Sequence, residues 1–115
     1  MNWIKLTDNI QLYDLIKQTV DDASLTVLLF KHSTRCSISS MVKRRIDSLN
    51  VPNHVLPVYL DLIAFRAISN EIADYFGVTH ESPQLLVIQN GKVTAIANHT
   101  NVSEQFVSNT IELNN

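Results

Sequence analysis

Cysteine is almost absent from this chain, since Cys36 is the only one among 115 residues. A lone thiol cannot form an internal disulfide, and it rules out an intramolecular C-x-x-C redox pair. This absence agrees with a reducing compartment. Glycine and proline are also scarce, with two and three residues, while hydrophobic residues make up 45% of the chain. That composition is typical of a compact globular protein, and the length predicts one domain over residues 1–115.

Long apolar runs and an excess of charge are also lacking. No stretch approaches the roughly 18 residues of a membrane-spanning helix, and the N-terminal segment has no signal-peptide pattern. We therefore expect a cytoplasmic protein with no membrane partner. The formal net charge of -2 gives no overall attraction to nucleic acid. Five of the nine basic residues do cluster within 31–45, namely Lys31, Arg35, Lys43, Arg44 and Arg45.

Apolar periodicity and turn residues predict alternating strands and helices. The turn dipeptide Asn90-Gly91 between two apolar runs predicts a β-hairpin, and Gly77 suits the left-handed end of a helix. In chain order we predict a strand at 2–6, helix 7–22, strand 25–32, helix 37–50, strand 54–62, helix 65–76, hairpin 83–98 and helix 103–113. The strand at 25–32 is apolar throughout, which indicates burial on both faces.

Helical spacing predicts which side chains face the core. In the first helix these are Ile10, Tyr13, Ile16 and Val20; in the second Ile38, Met41 and Val42; in the third Phe65, Ile68, Ile72 and Phe76; in the last Phe106, Thr110 and Leu113. The caps predicted for the first and last helices are Thr7 or Asp8, and Ser103.

The order β-α-β-α-β-α-β-β-α predicts an α/β fold in which a mixed sheet is flanked by helices. Alternating strands and helices favour parallel pairing, and the final hairpin must be antiparallel. This order resembles the thioredoxin fold. That fold also has a redox cysteine between its second strand and second helix and a proline before its hairpin, positions that Cys36 and Pro83 match.

Cys36 lies where the second helix is predicted to begin. Unpaired N–H groups and the positive end of the helix dipole favour a thiolate there, and Lys31 and Arg35 would act in the same direction. The alternative is that a lone cysteine is simply a small buried hydrophobe. Arg35 and Ser37, the neighbours of Cys36, are both polar, which argues against a thiol buried in the core. We therefore predict that Cys36 is a reactive nucleophile.

Ser39 stands where a dithiol enzyme would carry its resolving cysteine. Its hydroxyl can donate to a thiolate, or else Ser37 and Ser39 simply accept from the unpaired N–H groups of the helix start. Without a second thiol, an adduct on Cys36 needs a thiol from another molecule for its resolution. His32, four residues before Cys36, either tunes the thiolate or only makes a local hydrogen bond.

Paired metal-ligand spacings such as C-x-x-C or H-x-x-x-H are absent from the sequence, so we expect no internal metal site. An iron–sulfur cluster bound between two chains through Cys36 remains an alternative, since other one-cysteine proteins of the thioredoxin fold with a C-x-x-S pattern hold one.

Two segments carry a closer resemblance. The stretch "FKHSTRCSIS" resembles the F-L-K-H-S-T-x-C-P-I-S segment, and "GVTHESPQLLVIQNGKV" resembles the G-V-x-H-E-S-P-Q segment, of the monothiol bacilliredoxins of low-GC Gram-positive bacteria. The likeness runs from about residue 27 to 93. One position departs from the family pattern, because Ser37 stands where the family has proline, which bears on the redox potential and the preferred partner.

The resemblance implies a thiol-disulfide oxidoreductase that removes bacillithiol, or a similar low-molecular-weight thiol, from S-bacillithiolated proteins. Cys36 would be the nucleophile, Pro83 a cis-proline facing it, and bacillithiol a co-substrate rather than a bound cofactor. We place Ser82, Arg35, Ser37, Ser39 and His32 with Pro83 in substrate binding. Two alternatives remain: a non-catalytic binding module with a thiolation-sensitive cysteine, and a glutaredoxin-like iron–sulfur carrier.

Overall fold

The structure, a computed structural model, describes residues 1–111 and contains the predicted order of strands and helices. The elements are β1 (Ile4–Lys5), α1 (Asn9–Asp21), β2 (Thr26–His32), α2 (Ser37–Asp47), β3 (Val55–Asp61), α3 (Arg66–Phe76), β4 (Gln84–Gln89), β5 (Lys92–Asn98), a 3-10 turn (His99–Asn101) and α4 (Glu104–Thr110). The local signals in the sequence explain several of their ends. Asp8 caps α1, Ser103 caps α4, and Gly77 ends α3 with φ 64°.

The five strands form one mixed sheet in the order β1-β3-β2-β4-β5, and this confirms the predicted fold class. β3 is parallel to both β1 and β2, and the β4–β5 hairpin is antiparallel. The expectation of parallel pairing after every helix is wrong for β4, which runs antiparallel to β2. The connection 77–83 returns the chain to the end of the sheet where β2 finishes, and Gln84 therefore lies opposite Lys31.

The hydrophobic core lies in two layers, one on each face of the sheet. Val27 and Leu29 of β2 face α1 and α3, while Leu28 and Phe30 face α2 and α4. Every residue of β2 is buried, which confirms the prediction of a strand covered on both faces. Alternate side chains at the end of this strand therefore point into different layers.

The predicted inward face of α1 is wrong at three of its four positions. Ile10, Tyr13 and Val20 are exposed, and Ile16 is buried. The buried stripe consists of Leu12, Leu15, Ile16 and Thr19. Both stripes have helical spacing, and packing of α1 against the sheet selects the one that carries two leucines.

The start of α2 also differs from the prediction. Ile38 is exposed and Met41 only partly buried, whereas Ser39, Val42 and Ile46 point inward. A serine takes the inward position in the first turn because its hydroxyl finds hydrogen-bond partners at the end of β2. The polar first turn thus belongs to the site rather than to the core.

The remaining helices follow the prediction more closely. Ile68 and Ile72 of α3 are buried, and Phe65 and Phe76 pack against the same layer. In α4 the fully buried residue is Val107, which the prediction missed. Phe106 and Thr110 are partly buried, and Leu113 lies outside the described residues.

The hairpin turn has the geometry that its sequence predicts. Asn90 and Gly91 have φ angles of 53° and 74°, as a type I′ turn requires. Among residues 1–111, no helix has the length and apolar character needed to cross a membrane.

Candidate active site

Cys36 is the N-cap residue of α2 and is partly exposed. Its backbone is extended, with φ -106° and ψ 122°, and its side chain makes no capping hydrogen bond. The Cys36 N–H donates to Ser33 O at 3.1 Å, and the Cys36 carbonyl accepts from Ser40 N at 3.0 Å. The backbone is therefore fixed on both sides of a sulfur that no hydrogen bond engages within residues 1–111. Such a thiol is accessible to a disulfide.

Ser39 does not serve Cys36 in the way its spacing suggests. Its Oγ accepts from the Ser33 N–H at 3.1 Å and lies 2.7 Å from His32 Nδ1. Its hydroxyl is fully buried. Ser39 thus ties the first turn of α2 to the end of β2, and it neither caps the helix nor donates to the sulfur. Ser37, one residue after Cys36, is exposed.

His32 is a buried imidazole at the end of β2. Its ring stacks on Phe30 with centroids 5.8 Å apart and lies at the same distance from the Tyr59 ring. Burial, followed by the positive charge of Lys43, lowers the pKa of His32. The imidazole is therefore neutral near pH 7. In one tautomer the Ser39 hydroxyl donates to Nδ1; in the other Nδ1–H donates to Oγ, and the hydroxyl proton is free for another acceptor.

The loop before β4 lies at the same end of the sheet, on the strand next to β2. The Ser82–Pro83 peptide bond is cis, and the Pro83 carbonyl accepts from the His99 N–H at 2.7 Å. Ser82 has no hydrogen-bond partner within residues 1–111, either for its backbone groups or for its buried Oγ. A backbone edge is thus unpaired beside the strand that leads to Cys36.

The basic residues of 31–45 do not form one surface, contrary to their clustering in the sequence. Arg35, Arg44 and Arg45 are exposed, and Lys43 pairs with Asp47 at 3.0 Å. Lys31 is fully buried on the α3 side of the sheet, where its Nζ donates to Ser69 O at 3.0 Å. Lys31 therefore does not lie on the surface beside Arg35, because β2 alternation points it away from the α2 layer.

Sequence reasoning missed several contacts around the loop. Glu81 pairs with His99 Nε2 at 2.9 Å, and His80 Nδ1 lies 3.2 Å from Ser69 Oγ. The fully buried Gln84 donates to Thr79 O and Asn98 Oδ1, each at 3.0 Å. The only sequence signal for these partners is their concentration in the segment "THESPQ". In the part of the chain described, no group of three or more His, Cys, Asp or Glu side chains could hold a metal ion.

Comparison with solved structures agrees with this geometry. A structure described by its thioredoxin fold shares 25% identity over 92% of this chain and 90% of its own, with a TM-score of 0.78. Oxidised mitochondrial thioredoxin 3 from Saccharomyces cerevisiae is 18% identical over 96% of this chain and 93% of its own, with a TM-score of 0.70. Thioredoxin from Fasciola hepatica is 17% identical over 93% and 94%, with a TM-score of 0.63.

The profile of the monothiol bacilliredoxin BrxC family matches residues 4–107, nearly the whole chain. This match confirms the resemblance carried by the two segments around Cys36 and Pro83. Family and fold together support a thiol redox function. The chain belongs to the monothiol bacilliredoxin BrxC family.

Proposed function

We propose that this protein removes bacillithiol from S-bacillithiolated proteins through nucleophilic attack by Cys36. The observation that carries the proposal is the position of the chain's one thiol. Cys36 is partly exposed at the start of α2, and the unpaired backbone edge at Ser82 precedes the strand paired with β2. That edge offers a peptide backbone the main-chain hydrogen bonds of strand addition.

The proposed step is a disulfide exchange without net oxidation. The Cys36 thiolate attacks the bacillithiol sulfur of the mixed disulfide, that S–S bond breaks, and the client protein leaves as its thiolate. The new bond joins Cys36 to bacillithiol. A second thiol from another molecule then attacks this adduct and releases the enzyme as the Cys36 thiolate. Bacillithiol is thus a co-substrate, and we propose no resident cofactor.

The other site residues divide into two groups in this proposal. Arg35 is exposed beside Cys36 and can attract the malate carboxylates of bacillithiol, while Ser82 and Pro83 supply the backbone edge. Ser39 and His32 do not contact the substrate but support Cys36, because their buried hydrogen bond fixes the first turn of α2 on the end of β2. Ser37 brings an N–H to the helix start, where the family proline has none.

Intact mass after incubation with bacillithiol disulfide tests the proposal most directly. We expect the wild-type protein to gain one bacillithiol and release the other as thiol, and Cys36→Ser to gain nothing. Ser48→Ala removes an exposed hydroxyl at the other end of α2 and is the matched control, which should still form the adduct. In a separate reaction with reduced enzyme, a bacillithiolated client protein should lose its bacillithiol to Cys36 and leave as a free thiol.

Two results would contradict the proposal. One is a client that stays modified while Cys36 still reacts with iodoacetamide, which would favour the non-catalytic binding module. The other is a client freed while Cys36 remains an unmodified thiol, which would exclude exchange through this residue. A chromophore lost in Cys36→Ser after anaerobic purification would favour the iron–sulfur carrier.

A further inference from the structure

The buried lysine has no role in the exchange step proposed above, yet it lies next to the substrate edge. Lys31 Nζ donates to Ser69 O at 3.0 Å and lies 3.4 Å from His80 Nδ1. No acidic side chain pairs with it in residues 1–111, so neutral acceptors alone hold the ammonium. An unpaired buried charge is expensive, and a methionine of similar length would avoid the desolvation. Something other than stability must explain a lysine here.

Gln84 lies directly opposite Lys31 in the pairing of β2 with β4, on the same face of the sheet. Its amide nitrogen is satisfied by Thr79 and Asn98, but its Oε1 is buried without a hydrogen-bond partner. A protonated lysine has three N–H donors, and the two contacts with Ser69 and His80 leave one. Gln84 Oε1 is therefore an unused acceptor on the same face of the sheet as the unused N–H donor of Lys31.

These contacts converge on the segment that carries the cis-proline. Gln84 holds Thr79 through its carbonyl, and Lys31 together with Ser69 holds the His80 ring. The loop 79–83 is thus fixed from beneath by two buried polar side chains. On its outer side His99 holds the loop twice, through its N–H to the Pro83 carbonyl and through its Nε2 to Glu81. The backbone groups of Ser82 have no hydrogen-bond partner within residues 1–111.

We propose that Lys31 is a positioning residue that holds the 79–83 loop in register with Cys36, acting through His80 and Ser69 with Gln84 as its cross-strand partner. The inference rests on the proposed function, since it assigns Lys31 to binding of the disulfide substrate and not to sulfur chemistry. Its loss should weaken substrate binding and leave the rate of the bound complex almost unchanged.

Single-turnover transfer of bacillithiol from a client protein to Cys36 separates these two effects. We expect Lys31→Met to raise the half-saturating client concentration about tenfold, the equivalent of one hydrogen bond to a charged group. The limiting rate should stay within about twofold, and the variant should unfold at no lower urea concentration than wild type. Lys92→Met removes an exposed lysine from β5 and is the charge-matched control.

A second pair of variants tests the proposal even if Lys31→Met does not fold. His80→Leu removes the acceptor that Lys31 contacts, and His80→Asn restores an acceptor near the position of Nδ1. We expect the first to reproduce the effect of Lys31→Met and the second to return the half-saturating concentration toward wild type.

Hydrogen exchange of the His99 amide reports on the loop without any substrate, because this group donates to the Pro83 carbonyl. It should exchange about tenfold faster in Lys31→Met and His80→Leu. Wild-type exchange together with a wild-type half-saturating concentration in both variants would overturn the proposal. If wild type fails to act on bacillithiolated clients, the proposed function fails, and the exchange rate of His99 alone decides whether Lys31 holds the loop.

Discussion

At the scale of single residues, the site is built on buried polar side chains at the end of β2. Lys31 and His32 are consecutive, yet they serve opposite faces of the sheet. Lys31 reaches Ser69 under the cis-proline loop, and His32 reaches Ser39 under the cysteine. Neither contact could be inferred from the local sequence, because each partner lies on another element.

The Ser39 hydroxyl should matter for stability more than its size suggests. Ser39→Ala leaves the buried His32 Nδ1 and the partly buried Ser33 N–H without their partner, and we expect the free energy of unfolding to fall by about 1–3 kcal/mol. Urea denaturation measures this change. Ser37→Ala removes an exposed hydroxyl two residues earlier and should stay within about 0.5 kcal/mol of wild type. Equal effects of the two substitutions would contradict the burial argument.

The buried charge of Lys31 predicts a pH dependence of stability. Burial lowers the pKa of Lys31 from 10.5 to about 8, so between these two values the unfolded chain binds the proton that the folded chain has lost. Stability from this group therefore rises as pH increases through 8 toward 10.5. Below pH 8 the folded protein carries the desolvated ammonium, next to His80, Ser69 and Gln84.

Comparison with Lys31→Met isolates this titration, because other groups are common to both proteins. At pH 7 we expect the variant to be more stable, by roughly 2–3 kcal/mol. In urea titrations, the difference in the free energy of unfolding between the variant and wild type should shrink steadily between pH 8 and 10.5. A difference that is constant over this range would show that Lys31 does not lose its proton there.

At the scale of elements, the hairpin turn is packed onto the end of α1. The Gly91 N–H donates to Thr19 Oγ at 3.0 Å, and a Cβ on Gly91 would meet Val20 Cγ2 at 2.7 Å. The hydroxyl of Thr19 is buried under this turn, while Val20 stays largely exposed beside it. The C-terminal part of α1 supports the β4–β5 hairpin, whose first strand follows the unpaired backbone edge at Ser82.

Two glycine substitutions separate backbone strain from this contact. Gly77 and Gly91 both have positive φ, but a Cβ on Gly77 would meet nothing within 4 Å. We expect Gly77→Ala to lower the free energy of unfolding by about 1 kcal/mol, and Gly91→Ala to lower it by about 1–3 kcal/mol more, because Val20 must move. Urea denaturation of both variants checks this order. Equal losses of stability in the two variants would mean that the hairpin turn can move away from α1 without cost.

At the scale of the whole molecule, one thiol in one chain sets the stoichiometry of the proposed reaction. Cys36 can accept bacillithiol once, and Ser39 cannot expel it. We therefore expect one client thiol released per enzyme in the absence of other thiols, followed by turnover in proportion to an added thiol. Intact mass of enzyme and client over time measures both. Client release beyond one equivalent without added thiol would contradict the monothiol mechanism.

Ser39→Cys tests the same stoichiometry from the other side. It places a second thiol one helical turn after Cys36, where it can attack the adduct, expel bacillithiol and leave an intramolecular disulfide. We expect a shorter life of the adduct and a mass loss of two hydrogens in the freed enzyme. Because Ser39 is buried against His32, a persistent adduct would mean that the new thiol cannot reach the sulfur.

The sequence by itself determined the order of strands and helices, the buried central strand, the hairpin turn and the position of Cys36 at a helix start. These features rest on local rules: apolar periodicity, capping side chains, and φ angles that Asn90 and Gly91 accept. The resemblance of two segments was enough to identify the family, which the match over residues 4–107 confirms.

Only the tertiary structure decided which stripe of α1 is buried, that β4 runs antiparallel to β2, and that the basic residues near Cys36 separate. Each of these depends on what lies opposite an element and not on the element alone. Lys31 shows the reason most clearly. In the sequence it is one more cation near a cysteine, but strand alternation turns it into the other layer, where Ser69, His80 and Gln84 arrive from α3, the loop and β4.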